Sequence, residues 1–148
     1  MAEPERVQEQ MRLLLDTNVL LDIVLERLPW ASEGALLLDA IERGQATGYM
    51  ASHAVTTLYY VIGRARDRRV ATTAVSDLLG LLHVVPLDTH DFQHALVLGL
   101  TDFEDAVQAA ASLKIGADYI VTRNEKDFAG APVTPRSAGE VFALLSSV

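Results

Sequence analysis

Acidic residues lie at three points where apolar segments of the chain end, and they are the side chains best suited to chemistry. They are Asp16, the pair Asp102 and Asp105, and Asp127. A buried carboxylate is costly unless a basic group, backbone donors or a metal ion offsets its charge. Carboxylates gathered in one cleft also repel one another unless a divalent cation lies among them. Because the chain has no cysteine, these oxygen donors favour Mg²⁺ or Mn²⁺ over zinc and predict a metal site for phosphate chemistry.

Each acidic group also has an ordinary structural explanation. Asp16 or Thr17 would cap the helix that follows the first apolar run, since both residue types accept bonds from unpaired helix N–H groups. Thr101 and Glu104 have the spacing of a capping box, and acids in a first helical turn are favoured by the helix dipole. Asn124 and Asp127 are typical turn residues. The functional interpretation therefore depends on whether the three groups converge.

The elements that must bring these groups together are those of an α/β fold. Short apolar runs alternate with segments of helical periodicity, which is typical of βα units on a parallel sheet. The carboxyl ends of parallel strands meet at one sheet edge, so acids that follow strands would share one cleft. A last helix is predicted with Thr134 as its N-cap and Pro135 as its first residue. We predict strands at 12–16, 48–51, 84–87 and 119–121, and helices from about 18 and at 31–41, 52–62, 72–82, 88–98 and 102–114.

Length and composition indicate one intracellular domain. A chain of 148 residues has the length of a single domain, and we predict a flexible lead over 1–11 followed by one domain over 12–148. No stretch reaches the roughly 18 uninterrupted apolar residues of a membrane span, and the first 11 residues lack the basic start and apolar centre of a signal peptide. With no cysteine for disulfides, the cytoplasm is the expected compartment.

The net charge of −8 argues against binding nucleic acid by bulk electrostatics, because phosphate contacts need a basic surface. The basic residues are unevenly distributed along the chain, however. Four of the twelve lie close together: Arg64, Arg66, Arg68 and Arg69. This arginine patch is a candidate for contacts with phosphates. The alternative is a solvated helix end, where cations complement the helix dipole.

The acidic groups, in their order along the chain, resemble those of the PIN-domain ribonucleases, and especially the small VapC-like toxins of toxin–antitoxin pairs. The resemblance implies a metal-dependent endoribonuclease with a three-layer α/β/α fold around a central, mainly parallel sheet. In such enzymes one or two Mg²⁺ or Mn²⁺ ions activate water for attack on the phosphodiester. The matching segments are Leu15-Asp16-Thr17-Asn18-Val19-Leu20-Leu21-Asp22, Asp102-Phe103-Glu104-Asp105-Ala106, and Ala117-Asp118-Tyr119-Ile120-Val121-Thr122-Arg123-Asn124 with Asp127-Phe128.

The resemblance also implies a role for each matching side chain. Asp16 and Asp105 are the expected core metal ligands, with Asp127 as a supporting acid. Asn18 would orient Asp16 or bind a ligand water, and Thr122 would position the last loop. Toxins of this kind are typically restrained by a small antitoxin and commonly form homodimers, so RNA, an antitoxin and a second copy of the chain are the implied partners.

The chain departs from the family pattern at two positions. Asn124 stands where an aspartate is more common, so Asp127 would serve instead and Asn124 remains a polar contact. Thr57 stands where many relatives carry a glutamate, and no acid occurs between Gly44 and Arg66. The loss of a carboxylate weakens a second metal position. Asp102 would compensate as a ligand, because it shares a helix face with Asp105.

Two other interpretations follow from the residues. A catalytically degenerate PIN module that binds protein or RNA fits the missing glutamate at Thr57. A phosphatase with an aspartyl nucleophile at Asp16 fits less well, because such enzymes usually have a second Asp where Asn18 stands. Among the histidines, His90 and His94 have metal-pair spacing but lack a third ligand nearby. His53, beside the predicted helix cap Ser52, is the histidine placed to approach the site.

Overall fold

The computed structural model describes residues 10–147, and its centre is a five-stranded sheet whose strands are all parallel. The order across the sheet is β3-β2-β1-β4-β5. In β1 the side chains alternate between the two faces, so Leu13 and Leu15 join one hydrophobic core and Leu14 joins the other. The strands are β1 (Arg12–Leu15), β2 (Thr47–Ala51), β3 (His83–Val85), β4 (Tyr119–Val121) and β5 (Thr134–Arg136).

Helices cover both faces of the sheet, which gives the three layers that were predicted. The first four helices and the last one pack on one face, and the fifth and sixth pack on the other. A single 3-10 turn follows β4 over Glu125–Phe128. The helices are α1 (Thr17–Val24), α2 (Trp30–Glu42), α3 (Ser52–Ala65), α4 (Arg68–Leu81), α5 (Thr89–Val97), α6 (Phe103–Lys114) and α7 (Ala138–Ser146).

Two predicted helix starts are wrong. Thr134 and Pro135 do not begin the last helix but lie in β5, which is an edge strand, where proline is tolerated because it need not donate a hydrogen bond. The true cap is Ser137, which accepts from the Glu140 N–H in a complete capping box. In α3 the cap position belongs to Ala51, and Ser52 is already helical.

The chain crosses from one half of the sheet to the other between β1 and β4. From β1 it winds outward through β2 and β3, and it then returns to pair β4 with the other side of β1. Ligand sites of open α/β sheets lie at the carboxyl ends of the strands at such a crossover. Asp16 and Thr122 directly follow these two strands.

Most of the predicted lead lies outside the described residues. Of the predicted lead over 1–11, only Gln10 and Met11 are among the described residues. The Gln10 side chain donates to the Gly44 carbonyl, and the Met11 carbonyl accepts from the Thr47 N–H at 2.9 Å. Across residues 10–147, no helix is both long and apolar enough to cross a membrane.

Candidate active site

Asp16 is a buried carboxylate held at the end of the central strand. Its side chain is 5% exposed, and its Oδ2 accepts a hydrogen bond of 3.0 Å from the hydroxyl of Thr122. Its backbone N–H donates to Val121 at 2.9 Å, which ties the two strand ends together. Asp16 occupies the cap position of α1, yet its side chain makes no cap hydrogen bond. Burial raises the pKa of Asp16, and the Thr122 hydroxyl opposes that shift.

The second acidic group lies at the start of α6. Asp102 is the cap residue, and its Oδ1 accepts from the Asp105 N–H at 3.0 Å. The predicted capping box between Thr101 and Glu104 is therefore wrong by one position. The Glu104 side chain instead lies 3.9 Å from the Nε2 of His53 at the start of α3.

Acids from the α6 start and from the turn after β4 lie together, with Asp16 close by. Asp102, Asp105 and Asp127 line one open pocket with a volume of about 360 Å³. Asp16 does not line this pocket, but it is near enough to Asp105 to act on its charge. Burial and then the negative charges of Asp102, Asp16, Asp127 and Glu104 raise the pKa of Asp105 from 3.8 to about 7. The surroundings of the pocket therefore disfavour the ionised form of Asp105.

The donor chemistry of this pocket suits a hard divalent cation. Carboxylate oxygens are the ligands that Mg²⁺ and Mn²⁺ prefer, and a cation would relieve the repulsion that adds to burial in raising the pKa of Asp105. Within residues 10–147, however, no three His, Asp or Glu side chains are already drawn together closely enough to hold a metal. Metal binding would therefore require the carboxylates to move closer to one another.

Three other predicted site residues, Asn18, Asn124 and Thr57, do not line this pocket. Asn18 is exposed in the first turn of α1. The backbone N–H of Asn124 donates to the Thr122 hydroxyl at 3.1 Å, which orients that hydroxyl toward Asp16. Thr57 is half-buried and donates to the His53 carbonyl at 3.2 Å, one turn earlier in α3. Its hydroxyl is thus used by its own helix.

The arginine patch is not part of the acidic pocket. Its four arginines are exposed around the turn between α3 and α4. That turn lies about 20 Å along α3 from the sheet edge, at about 1.5 Å per residue. Arg66 donates to the carbonyl of Leu25 at 3.4 Å, so the patch lies beside the end of α1.

Two residues at the site were not identified from the sequence. Gln108 is fully buried in α6, and its Nε2 donates to the Thr17 hydroxyl at 2.9 Å, which joins α6 to the start of α1. Lys126 lines the acidic pocket. An amide in the otherwise apolar run after Asp105 could have indicated Gln108, because it lies one turn from Asp105 on the same helix face.

The protein is thus a three-layer α/β/α protein with a parallel sheet, and its candidate site is a pocket of carboxylates near the crossover between β1 and β4. The PIN domain family model matches residues 12–126. The chain therefore belongs to the PIN domain family. The search of curated proteins found no match to the sequence.

Solved structures with the same fold include proteins of toxin–antitoxin complexes. VapBC from Salmonella typhimurium, bound to DNA, is 15% identical with a TM-score of 0.69, over 87% of this chain and 99% of that one. FitAcB from Neisseria gonorrhoeae is 20% identical with a TM-score of 0.64, over 85% and 97%. VapC20 of Mycobacterium tuberculosis, a sarcin-ricin loop cleaving toxin, is 15% identical with a TM-score of 0.64, over 79% and 93%. At these identities the likeness shows the fold.

Proposed function

We propose that this protein is a metal-dependent endoribonuclease that hydrolyses RNA phosphodiester bonds. The observation that carries the proposal is the convergence of Asp102, Asp105 and Asp127 on one pocket beside the buried Asp16. Membership of the PIN family supports the nuclease class. Mg²⁺ or Mn²⁺ is the proposed cofactor, and it would supply charge to activate water and to stabilise the departing oxygen.

The chain's own residues have distinct tasks in this proposal. Asp16 and Asp105 hold the cation, with Asp102 and Asp127 as further acids around the pocket. The Thr122 hydroxyl fixes one oxygen of Asp16. The raised pKa of Asp105 means that binding a cation displaces a proton from this carboxyl at neutral pH.

The proposed partners are those of a toxin in a toxin–antitoxin pair. Complexes named VapBC among the structural neighbours support a small antitoxin as one partner. An acidic pocket favours a basic side chain of that antitoxin as the group that enters it. The neighbour that cleaves the sarcin-ricin loop supports structured RNA as the substrate class. Leu96 and Val97 of α5 are more than two-thirds exposed, and they offer apolar surface for a homodimer.

Cleavage of a mixed structured RNA pool tests the activity. The native protein is expected to cut with Mg²⁺ or Mn²⁺ and to stop with chelator, whereas Asp16→Asn and Asp105→Asn lose at least about a hundredfold in rate. Asp77→Asn makes the same change of charge on exposed α4 and serves as the control. Cleavage that survives in both site variants would overturn the assignment of the site.

Thr57 supports a second candidate, a degenerate PIN module that binds RNA or protein without cutting. No acid occurs on α3, and the Thr57 hydroxyl is occupied by the His53 carbonyl. If no metal supports cleavage, Thr57→Glu tests whether the missing carboxylate is the reason. Cleavage gained by that variant would identify the native chain as a degenerate module.

A further inference from the structure

A second buried carboxylate lies near the site but is not part of the acidic pocket. Asp22, on α1, is 1% exposed, and its Oδ2 lies 2.8 Å from the Nε of Arg123. The guanidinium of Arg123 also stacks on the Trp30 ring, 3.9 Å from its centroid. These three residues, which we name the Arg123 clamp, connect α1, the start of α2 and the loop that follows β4.

The contacts in the clamp are mainly those of charge and stacking. Neither oxygen of Asp22 accepts an aligned hydrogen bond from the described residues, and the Nε of Arg123 donates none to them. A guanidinium is planar, so it can pair with a carboxylate at its edge while its face covers an indole. Arg123 is thereby held on two sides.

The clamp is adjacent in sequence to the group that orients Asp16. Thr122 precedes Arg123, and its hydroxyl donates to Asp16 at 3.0 Å and accepts from the Asn124 N–H at 3.1 Å. The Thr122 N–H also donates to the Arg136 carbonyl at 2.9 Å, so Arg123 would act on Thr122 by restraining the loop that begins there. Partners of metal ligands often act in this manner, by setting the orientation of the ligand.

We propose that Arg123 is a positioning residue, and that the Arg123 clamp keeps the Thr122 hydroxyl aimed at Asp16 so that Asp16 is ready to bind the cation. The proposal rests on the proposed metal site for its effect on cation affinity. The other part of the proposal, that the clamp keeps residues 122–124 in a fixed conformation, does not depend on any metal.

The chain offers a matched control for this proposal. Arg27 also pairs with Asp22, at 3.6 Å, but it lies between α1 and α2 and has no link to Thr122. Arg123→Met and Arg27→Met each remove one cation from the same carboxylate. A merely structural role for the pair would affect both variants alike, whereas a positioning role affects only the first.

The first measurement is hydrogen exchange at the Asn124 amide, because that amide donates to Thr122 and its exchange rate needs no metal. Arg123→Met is expected to raise the rate at least about tenfold, while Arg27→Met stays near native. Arg123→Lys keeps the charge but loses the planar stack, and it is expected to give an intermediate rate. Equal rates in both Met variants would overturn the proposal.

The second measurement is Mn²⁺ affinity. Arg123→Met is expected to weaken binding about tenfold, and Arg27→Met less than about twofold. Trp30 is the only tryptophan in the chain, so loss of the stack is visible as a change in its fluorescence. Weaker binding by Arg27→Met to the same degree would count against the clamp. Absence of binding by the native protein would refute the metal site, and the exchange rates would still decide whether the clamp fixes residues 122–124.

Discussion

Asp16 and Asp22 lie six positions apart in one motif, and both are buried, but their surroundings are opposite. Asp22 is paired with Arg27 and Arg123. Among the described residues Asp16 has no basic partner and accepts a hydroxyl hydrogen bond, with other carboxylates nearby. Burial is therefore common to a structural aspartate and a candidate ligand. What distinguishes them is whether the protein itself supplies the compensating charge.

Removing Asp22 is the most disruptive test of this contrast. Asp22→Ala leaves Arg27 and Arg123 without their buried partner. We expect the free energy of unfolding to fall by about 3 kcal/mol, at the lower end for a broken buried pair because both arginines reach solvent. Urea denaturation measures the change. The matched control is Asp39→Ala, which breaks an exposed pair with Arg43 and is expected to cost no more than about 1 kcal/mol. Equal effects would contradict the structural role of Asp22.

Thr122 tests the support given to Asp16. Thr122→Val keeps the shape of the side chain but removes the donor to Asp16, so we expect Mn²⁺ affinity to fall about tenfold. Isothermal titration measures the affinity. Thr72→Val removes an exposed hydroxyl that donates to the Arg68 carbonyl in α4, and its affinity is expected to match that of the native protein. Unchanged affinity in Thr122→Val would show that Asp16 needs no such support.

The pH dependence of stability tests whether the carboxylates near Asp16 lack a compensating charge. The raised pKa of Asp105 means that the metal-free folded protein holds a proton there that the unfolded chain releases near pH 4. Stability should therefore decline as pH rises from about 4 to about 7, since the folded state binds more protons in that window. Thermal unfolding in chelator is expected to show a fall in Tm that Asp105→Asn reduces. A Tm that rises with pH in this window, or an equal fall in Asp105→Asn, would be inconsistent with the crowded pocket.

The arginine patch consists of exposed charges, in contrast to the buried Asp16 and Asp22. Replacing its residues is expected to have the smallest effect on activity. Replacing Arg64 and Arg68 by glutamine should raise the KM for RNA about threefold and reduce its salt dependence, with kcat unchanged, because contacts with phosphates add affinity without sequence information. Cleavage at several salt concentrations measures both quantities. An unchanged salt dependence would indicate that the patch is only a solvated helix end.

Much of the fold was predictable because its pattern is local. Leu13 to Leu15 and Tyr119 to Val121 are apolar runs that end in polar residues, and they form the two strands beside the crossover. The predicted helix over 88–98 is present as α5, and its start is fixed by a local capping box between Asp88 and Asp91. The start of α7 was not predictable, because Thr134-Pro135 fits both a helix start and an edge strand, and the pairing with β4 decides between them.

The site was predictable only in part for a related reason. The sequence identifies which acids follow strands, but it does not contain the distances that set their charges. The pairing of Asp22 with Arg123, 101 positions apart, and the bond from Gln108 to Thr17 depend on packing between layers. Such contacts have no local sequence pattern, so the division between a paired and an unpaired aspartate became visible in the structure.

The central claim is that the unpaired acids form a cation site, and a Mn²⁺ titration of the native protein, Asp105→Asn and Asp77→Asn tests it most directly. We predict that the native protein and Asp77→Asn bind Mn²⁺ equally, with release of a proton near neutral pH, and that Asp105→Asn binds at least about tenfold more weakly. Equal affinity in all three proteins, or no binding by the native protein, would contradict the claim.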